Sequence, residues 1–177
     1  ITMKRILPIL AALGFTALLA TPANAMLPLC HPVSKGGMKQ AASALSAYKA
    51  QRYTAAFQRF RALAEGGNPY AQNHLAIMYN RGFGVARNYR IASEWWEKAA
   101  QQGQITAQCN LGMMYLYGQG VPQDDVLAYA YFSLAAGRGS NDARRRMDMM
   151  EAWRISRVER AEAQELTQEW ANGNFSK

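Results

Sequence analysis

The sequence contains the same fifteen-residue pattern twice, 36 positions apart. Residues 71–85 are AQNHLAIMYNRGFGV, and residues 107–121 are AQCNLGMMYLYGQGV. The alignment continues without a gap, so that Trp96 of the first copy corresponds to Phe132 of the second. A fixed period of roughly 20–50 residues is typical of proteins built from stacked repeats. The sequence therefore predicts similar units that pack side by side.

Each unit is predicted to contain two helices separated by a Gly-x-Gly turn. The first helix begins near Pro69, a residue suited to the first turn of a helix, and ends at Gly82. Asn88 and its equivalent Asp124 precede the second helices and are expected to cap them. Neither helix can cover its apolar face alone, and the units must therefore stack.

The register weakens at both ends of the repeated region. Residues 41–70 form a degenerate first repeat, and residues 143–170 form C-terminal capping helices in which the Gly-x-Gly turn is missing. Ser156 and Glu159 have the spacing of a capping box at the start of the last helix. The residues expected on the buried side of that helix are Val158, Ala161, Leu166 and Trp170.

Residues 1–25 have the three parts of a secretory signal peptide. Met3 is the expected start, Lys4 and Arg5 supply the positive charge, and a small-x-small cleavage site ends at Ala25. The apolar stretch between them is shorter than the roughly 20 residues that span a bilayer. We therefore expect cleavage, and no stable membrane span afterwards.

Cleavage lowers the formal net charge from +8 to +6. An exported bacterial protein, periplasmic or secreted, meets no chromosomal DNA, and we expect no nucleic-acid partner. The remaining positive charge favours an anionic envelope surface or an acidic protein partner.

Residues 26–40 are predicted to be a flexible lead-in and residues 171–177 a tail. Cys30 lies in the lead-in and Cys109 in the second repeat. An oxidising compartment permits a disulfide between them. The alternative, which the sequence alone favours, is that Cys109 is a small buried apolar residue.

The repeated pattern A-x-x-x-L-[AG]-x-x-Y-x-x-G-x-G-V, followed by A-x-x-[WY]-[WF]-x-x-A-A-x-x-G, closely resembles the Sel1-like repeat, a relative of the tetratricopeptide repeat. Two consecutive copies occupy residues 71–106 and 107–142, and the resemblance extends over about 53–170. It implies an all-α fold, a right-handed αα-superhelix. It also implies an adaptor or scaffold that binds a protein or peptide without a cofactor.

In related solenoids the first helices of the repeats line the concave side, where a partner binds. Methionine suits such a surface because it is flexible and polarisable. The alternative is that the lead-in or the last helix covers these positions and makes them core. The predicted groove residues are Asn73, Ile77, Asn80, Cys109, Met113, Leu116 and Met149.

Arg144, Arg145 and Arg146 form a second candidate site near the carboxyl end. Guanidinium groups pair well with carboxylates, so the three could bind an acidic partner. The alternative is an ordinary solvated helix face.

Catalysis is not expected. His31 lies in the lead-in, which leaves His74 as the candidate base on the repeats, with no nucleophile at a supporting spacing. No metal-ligand spacing or nucleotide-binding loop is present, since both Gly-x-Gly turns follow helices. The sequence therefore favours an exported adaptor. The alternative is an envelope-associated protein that binds cell-wall polysaccharide or an anionic surface through its charge.

Overall fold

The computed structural model describes residues 38–39 and 41–175. The predicted signal peptide and most of the lead-in lie outside these residues. The described part of the chain contains eight helices and no strand, which confirms the all-α superhelix. The helices are α1 (Ala42–Lys49), α2 (Tyr53–Glu65), α3 (Pro69–Arg81), α4 (Tyr89–Gln101), α5 (Ile105–Tyr117), α6 (Asp125–Gly137), α7 (Asn141–Trp153) and α8 (Arg157–Ala171).

The 36-residue spacing extends beyond the two complete repeats. Helices α3, α5 and α7 each begin 36 residues after the one before, and so do α2, α4 and α6. The spacing fails only at the outermost described helices: α1 has 8 residues, and α8 begins 32 residues after α6. The ends of the stack therefore differ from its middle, as terminal capping units require.

From α1 to α7, each helix packs against the next helix in the chain. Helix α4 lies between α3 and α5, while α8 and α7 both pack on α6. Leu75 and Leu111 are both buried, at equivalent places in successive hairpins. This equivalence is the physical form of the repeat seen in the sequence.

The two glycines of each turn have different functions. Gly82 ends α3 with a left-handed conformation (φ 73°), which an L-residue with a side chain rarely adopts. A Cβ on Gly84 would lie 2.5 Å from the carbonyl of Tyr53, and a Cβ on Gly120 would lie 2.4 Å from that of Tyr89. The second glycine therefore lets each unit approach the backbone at the start of the preceding unit's second helix.

The turn between α7 and α8 has no such glycine, and a salt bridge occupies the corresponding joint. The position equivalent to Tyr53 and Tyr89 is Asp125, at the start of α6. Arg154 Nε lies 2.7 Å from Asp125 Oδ1. The last unit is thus held to α6 by a side-chain contact where earlier units use backbone contact.

The predicted helix caps are confirmed. Asn88 accepts a hydrogen bond from the Ile91 amide at 3.0 Å, and Asp124 accepts one from Leu127 at 2.9 Å. The capping box of Ser156 and Glu159 is complete: the serine hydroxyl accepts from the Glu159 amide, and the carboxylate accepts from the Ser156 amide.

The predicted buried side of α8 is partly wrong. Val158 is 78% exposed and Ala161 is also exposed. Ala163 and Trp170, seven residues apart, define the face that packs on α6, and Val158 and Ala161 lie on the opposite side. Trp170 packs against Tyr131 of α6 with ring centroids 4.6 Å apart.

Among the described residues, no helix combines the length and apolar character needed to cross a bilayer.

Candidate functional site

The predicted groove residues divide between buried and accessible positions. Ile77 is partly buried, and Met149 on α7 is 53% exposed. The other predicted groove residues are buried, which makes them unavailable at the surface along α3 and α5; these are Asn73, Asn80, Cys109, Met113 and Leu116.

Two buried asparagines on α3 have structural contacts. The indole nitrogen of Trp96 donates a hydrogen bond to Asn73 Oδ1 at 3.0 Å, which ties α3 to α4. Asn80 Nδ2 lies 4.0 Å from Met114 Sδ on α5. Because a buried polar group needs a partner, these contacts explain why the asparagines point inward.

Cys109 is fully buried and disulfide-bonded. Its burial was expected, but the preference for an unbonded cysteine is wrong. The only other cysteine of the sequence, Cys30, lies outside the described residues.

A cleft of about 280 Å³ opens between the end of α5 and the end of α7. This α5–α7 cleft is lined by Leu116, Tyr117, Arg146, Met149, Met150, Trp153 and Arg154. Leu116 and Met150 are buried and form an apolar floor. The volume is slightly below the roughly 300–1,000 Å³ of typical small-molecule pockets, so the cleft suits a side chain of a bound peptide.

Large aromatic side chains stand beside this floor. Trp153 is 91% exposed and Tyr117 is half exposed. A large apolar side chain gains about 25 cal/mol for each Å² of apolar surface removed from water. An exposed tryptophan beside a buried apolar floor therefore offers a partner a substantial favourable free energy.

The two arginines that line the cleft, Arg154 and Arg146, have different environments. Arg154 Nε donates to Asp125 Oδ1 at 2.7 Å, and Arg154 Nη2 donates to the Leu116 carbonyl at 3.2 Å. These bonds fix the Arg154 guanidinium across the ends of α5 and α6. Burial lowers the pKa of Arg146, yet an arginine remains charged at neutral pH because its ordinary pKa is so high.

The predicted basic patch is distributed around α7. Arg145 is exposed and paired with Asp142, Arg144 is exposed, and Arg146 is half-buried against the cleft. Consecutive residues of a helix point about 100° apart, so three in a row cannot share one face. Arg146 is thus the member of the triplet that belongs to the cleft.

A polar network positions α7 beneath the cleft. The Tyr129 hydroxyl of α6 donates to the Glu151 carboxylate of α7, and Arg160 Nη1 of α8 donates to Glu151 Oε2 at 3.1 Å. Burial and the neighbouring carboxylate raise the pKa of Tyr129. Helices α6, α7 and α8 therefore meet at the Glu151 carboxylate. These contacts fix the side of α7 that carries Glu151, while Met149 and Trp153 remain exposed.

His74 is part of the core between the first two units. Its ring stacks on Phe60 with centroids 4.7 Å apart, and Tyr48 and Tyr70 pack around it. Burial lowers its pKa to about 4, so the imidazole is neutral at pH 7. Its surroundings are those of a core side chain.

No group of three or more potential metal-ligating side chains occurs among residues 38–39 and 41–175.

The aromatic residues of the cleft were missed in the sequence, although a signal for one was present. Trp153 lies 36 residues after Tyr117 and four after Met149, so it belongs to the same helix face as the predicted groove. Extending the predicted groove by one helical turn beyond Met149 would have included Trp153.

The comparisons agree with the repeat register. The family model for the Sel1 repeat matches residues 69–104 and 105–140. The chain therefore contains two Sel1 repeats. Members of this family generally mediate protein–protein interactions and are typically non-catalytic.

Solved structures of Sel1-like repeat proteins share the fold. One is a protective antigen present in uropathogenic Escherichia coli strains, with a TM-score of 0.73 at 28% identity over 79% of this chain and 31% of that chain. Another is a Sel1 repeat protein from Oxalobacter formigenes, with a TM-score of 0.62 at 29% identity over 76% of this chain and 54% of that chain. The chain thus spans about a third and about half of these relatives. No curated protein matches it.

Proposed function

We propose that this Sel1-like repeat protein is an exported, periplasmic adaptor that binds a segment of a partner protein at the α5–α7 cleft. The observation that carries the proposal is the exposure of Trp153 and Met149 beside the buried floor of Leu116 and Met150. Equivalent positions of α5 are far less accessible: Met113 is buried, and Tyr117 is only half exposed.

The composition of the cleft fits a recognition surface. Tryptophan, tyrosine and arginine are the residue types most enriched among those that dominate binding energy at interfaces. Trp153, Tyr117 and Arg146 supply one of each within a single cleft. Methionine adds an adaptable apolar contact.

The charges of the cleft favour an acidic partner segment. The charged residues among the described residues that line it are Arg146 and Arg154, and both are positive. Guanidinium groups pair well with carboxylates. The occupant we propose is a peptide segment with one large apolar side chain beside an aspartate or glutamate.

Export is supported by the amino-terminal sequence and by the bonded state of Cys109. Residues 1–25 have the parts of a signal peptide, and disulfides persist mainly in oxidising compartments. Both features favour the periplasm of a bacterium.

The test has two stages. Mild crosslinking of intact cells, followed by purification of the tagged chain, identifies a stoichiometric partner. The affinity of the purified partner is then measured for wild type, Trp153→Ala and Val158→Ala. Val158 is the matched control because it is also a large exposed apolar residue, on α8 and outside the cleft.

We expect Trp153→Ala to weaken binding at least tenfold and Val158→Ala to change it less than twofold. Equal affinities for all three proteins would remove the cleft from the interface. Two other outcomes would contradict the proposed adaptor function. If the purified chain associates with itself and Trp153→Ala abolishes this association, the cleft binds a second copy of the chain. Cofractionation with cell-wall or membrane material that salt abolishes would favour the envelope-associated alternative.

A further inference from the structure

The excess positive charge of the described chain lies in its first two units, α1 to α4. Residues 38–104 contain nine lysines and arginines and three glutamates. Residues 105–175 contain seven arginines and nine aspartates and glutamates. The arginine triplet of α7 is therefore offset by carboxylates in the same half of the chain, whereas the cations of α1 to α4 are not.

Four of these cations lie at one edge of the stack, where the first helix of a unit ends and the second begins. The two stretches that form this edge in the first two units, residues 45–54 and 81–89, contain no aspartate or glutamate. Three of the four cations are exposed and one is half-buried. We call them the basic edge: Lys49, Arg52, Arg81 and Arg87.

The two stretches are in direct contact through aromatic rings. Phe83 stacks on Tyr53 with ring centroids 4.5 Å apart, and Tyr48 packs against Phe83 at 6.1 Å. Burial raises the pKa of Tyr48, and the charge of Arg81 partly opposes this rise, which places Arg81 near the same ring. The cations of the two turns therefore lie around a floor of half-buried aromatic side chains.

The residue before the second helix changes its charge along the stack. It is Arg52 in the first unit, Asn88 in the second and Asp124 in the third. Asn88 and Asp124 cap their helices, but the Arg52 side chain makes no cap hydrogen bond. A cation at a helix N-terminus is also disfavoured by the helix dipole. The stability of α2 therefore does not explain Arg52, whose side chain is exposed to a partner.

We propose that the basic edge is a second contact surface and binds an acidic peptide segment of the partner protein. The proposal rests on the proposed function in taking the partner to be a protein, but it uses no residue of the α5–α7 cleft. Guanidinium groups form strong, charge-assisted hydrogen bonds with carboxylates. The aromatic floor offers apolar contact to the side chains between those carboxylates.

A peptide fits this edge better than an anionic membrane does. A helix or turn that binds a membrane surface inserts apolar side chains into the interface. Tyr48, Tyr53 and Phe83 are half-buried and packed against one another, so they form a floor and do not project from the edge.

The geometry of the stack indicates the spacing of the acidic residues. The two turns are in contact, and their cations are therefore separated by about one helix-packing distance, roughly 8–10 Å. An extended peptide advances about 3.3 Å per residue, so carboxylates three residues apart meet successive turns. The segment we expect has aspartate or glutamate at every third position, with apolar residues between.

The test measures binding of the purified full chain to a synthetic peptide probe. The probe has glutamate at every third position, with leucine and serine between, and the control probe has glutamine in place of glutamate. Affinities are measured by fluorescence anisotropy for wild type, Arg52→Asp and Arg138→Asp. Arg138 is the matched control because it is exposed, undergoes the same change of charge and lies beyond the end of α6, at the opposite edge.

We expect wild type to bind the glutamate probe at least tenfold more tightly than the glutamine probe. Raising the salt concentration should reduce this preference, because salt screens exposed charges. Arg52→Asp should weaken binding at least fivefold, and Arg138→Asp less than twofold. Equal binding of the two probes, or equal losses in the two variants, would overturn the proposal.

Thermal melts separate binding from folding. Arg52→Asp copies Asp124 of the third unit, so its melting temperature should stay the same or rise. If it falls, Arg87→Gln replaces it as the deciding variant, because Gln123 already has this position in the third unit. Arg87→Gln should weaken binding of the glutamate probe at least threefold, and unchanged binding would contradict the proposal.

Two further comparisons isolate the basic edge. Binding of the chain to vesicles of anionic phospholipid, without binding to the glutamate probe, would overturn the peptide proposal and indicate a membrane surface. Trp153→Ala should bind the probe as wild type does, because Trp153 belongs to the cleft. A partner that depends on Trp153 while the probe fails to bind would reject the basic edge alone, and the reverse result would reject the cleft alone.

Discussion

Helices α5 and α7 hold equivalent places in successive units, yet one is buried on nearly every side and the other exposes a broad face. Residues 106–116 of α5 are buried without interruption, whereas Ala143 and Met150 are the buried residues of α7. A helix that is apolar all round belongs inside a protein, and one with a single apolar stripe belongs at its surface. The same backbone position therefore serves as core in one unit and as a candidate binding surface in the next.

One position of the repeat also shows this change from buried core to accessible surface. His74, Asn110 and Arg146 are separated by 36 residues each. His74 stacks among aromatic rings, Asn110 is fully buried, and Arg146 lines the α5–α7 cleft. Polarity thus rises from the first unit to the last, and solvent access rises at the final step.

The largest expected effect compares two methionines in this register. Met113→Ala should lower the free energy of unfolding by about 2–5 kcal/mol, because it leaves a cavity in a packed core. Met149→Ala, on the exposed side of α7, should change it by less than about 0.5 kcal/mol. Chemical denaturation of both variants measures the difference, and equal losses would contradict the contrast between the helices.

The next effect concerns His74 and pH. Burial lowers the pKa of His74 to about 4, whereas an unfolded histidine titrates near 6.5. Between these values the unfolded chain binds more protons, so stability present above pH 6.5 is lost as pH falls towards 4. The loss amounts to about 3 kcal/mol.

His74→Phe keeps a ring beside Phe60 and removes this proton uptake. Its free energy of unfolding should therefore fall less than that of wild type over the same pH interval, by about 3 kcal/mol. Denaturation curves at several pH values provide the measurement. Parallel pH profiles for the two proteins would place His74 in a less buried environment than the structure gives it.

A smaller effect is expected at the joint between α7 and α6. Arg154→Ala removes the salt bridge to Asp125 and the hydrogen bond to the Leu116 carbonyl, and should cost about 1 kcal/mol. Arg144→Ala is the control, since Arg144 is exposed on the same helix, and it should change stability by less than about 0.5 kcal/mol. If the two substitutions cost the same, the side-chain contact does not replace the glycine joint.

The smallest effect on stability is expected at the residue most important for the proposed binding. Trp153 is 91% exposed, so Trp153→Ala should shift the free energy of unfolding by less than about 0.5 kcal/mol. A thermal melt compared with that of Val158→Ala checks this. A large destabilisation would mean that Trp153 packs inside the protein, and α7 would then resemble α5.

The sequence was sufficient for the helices because their signals are local. The caps at Asn88 and Asp124 and the capping box at Ser156 depend on residues three positions apart, and the 36-residue period repeats such local signals along the chain. Apolar periodicity likewise predicted that Leu75 and Leu111 are both core residues, because aligning the two repeats places them at the same position.

The site was harder to predict because accessibility depends on distant parts of the chain. A helical wheel shows that Met113 and Met149 lie on the same side of their helices, but not which of them is buried in the folded protein. The same difficulty explains the wrong prediction for Val158 and Ala161 of α8. Both are apolar and were expected to be buried, but the face of α8 that carries them is exposed. Exposure of Trp153 could not be inferred from its type, because tryptophan is usually well buried.

The close approach of Gly84 to Tyr53, repeated by Gly120 and Tyr89, has a consequence for how such a chain can grow. Each joint involves only adjacent modules, and a module inserted after residue 104 would bring its own joint with it. Gene duplication could thus lengthen the array in 36-residue steps while both terminal surfaces stay the same. The number of modules would set the distance between those surfaces without altering either one.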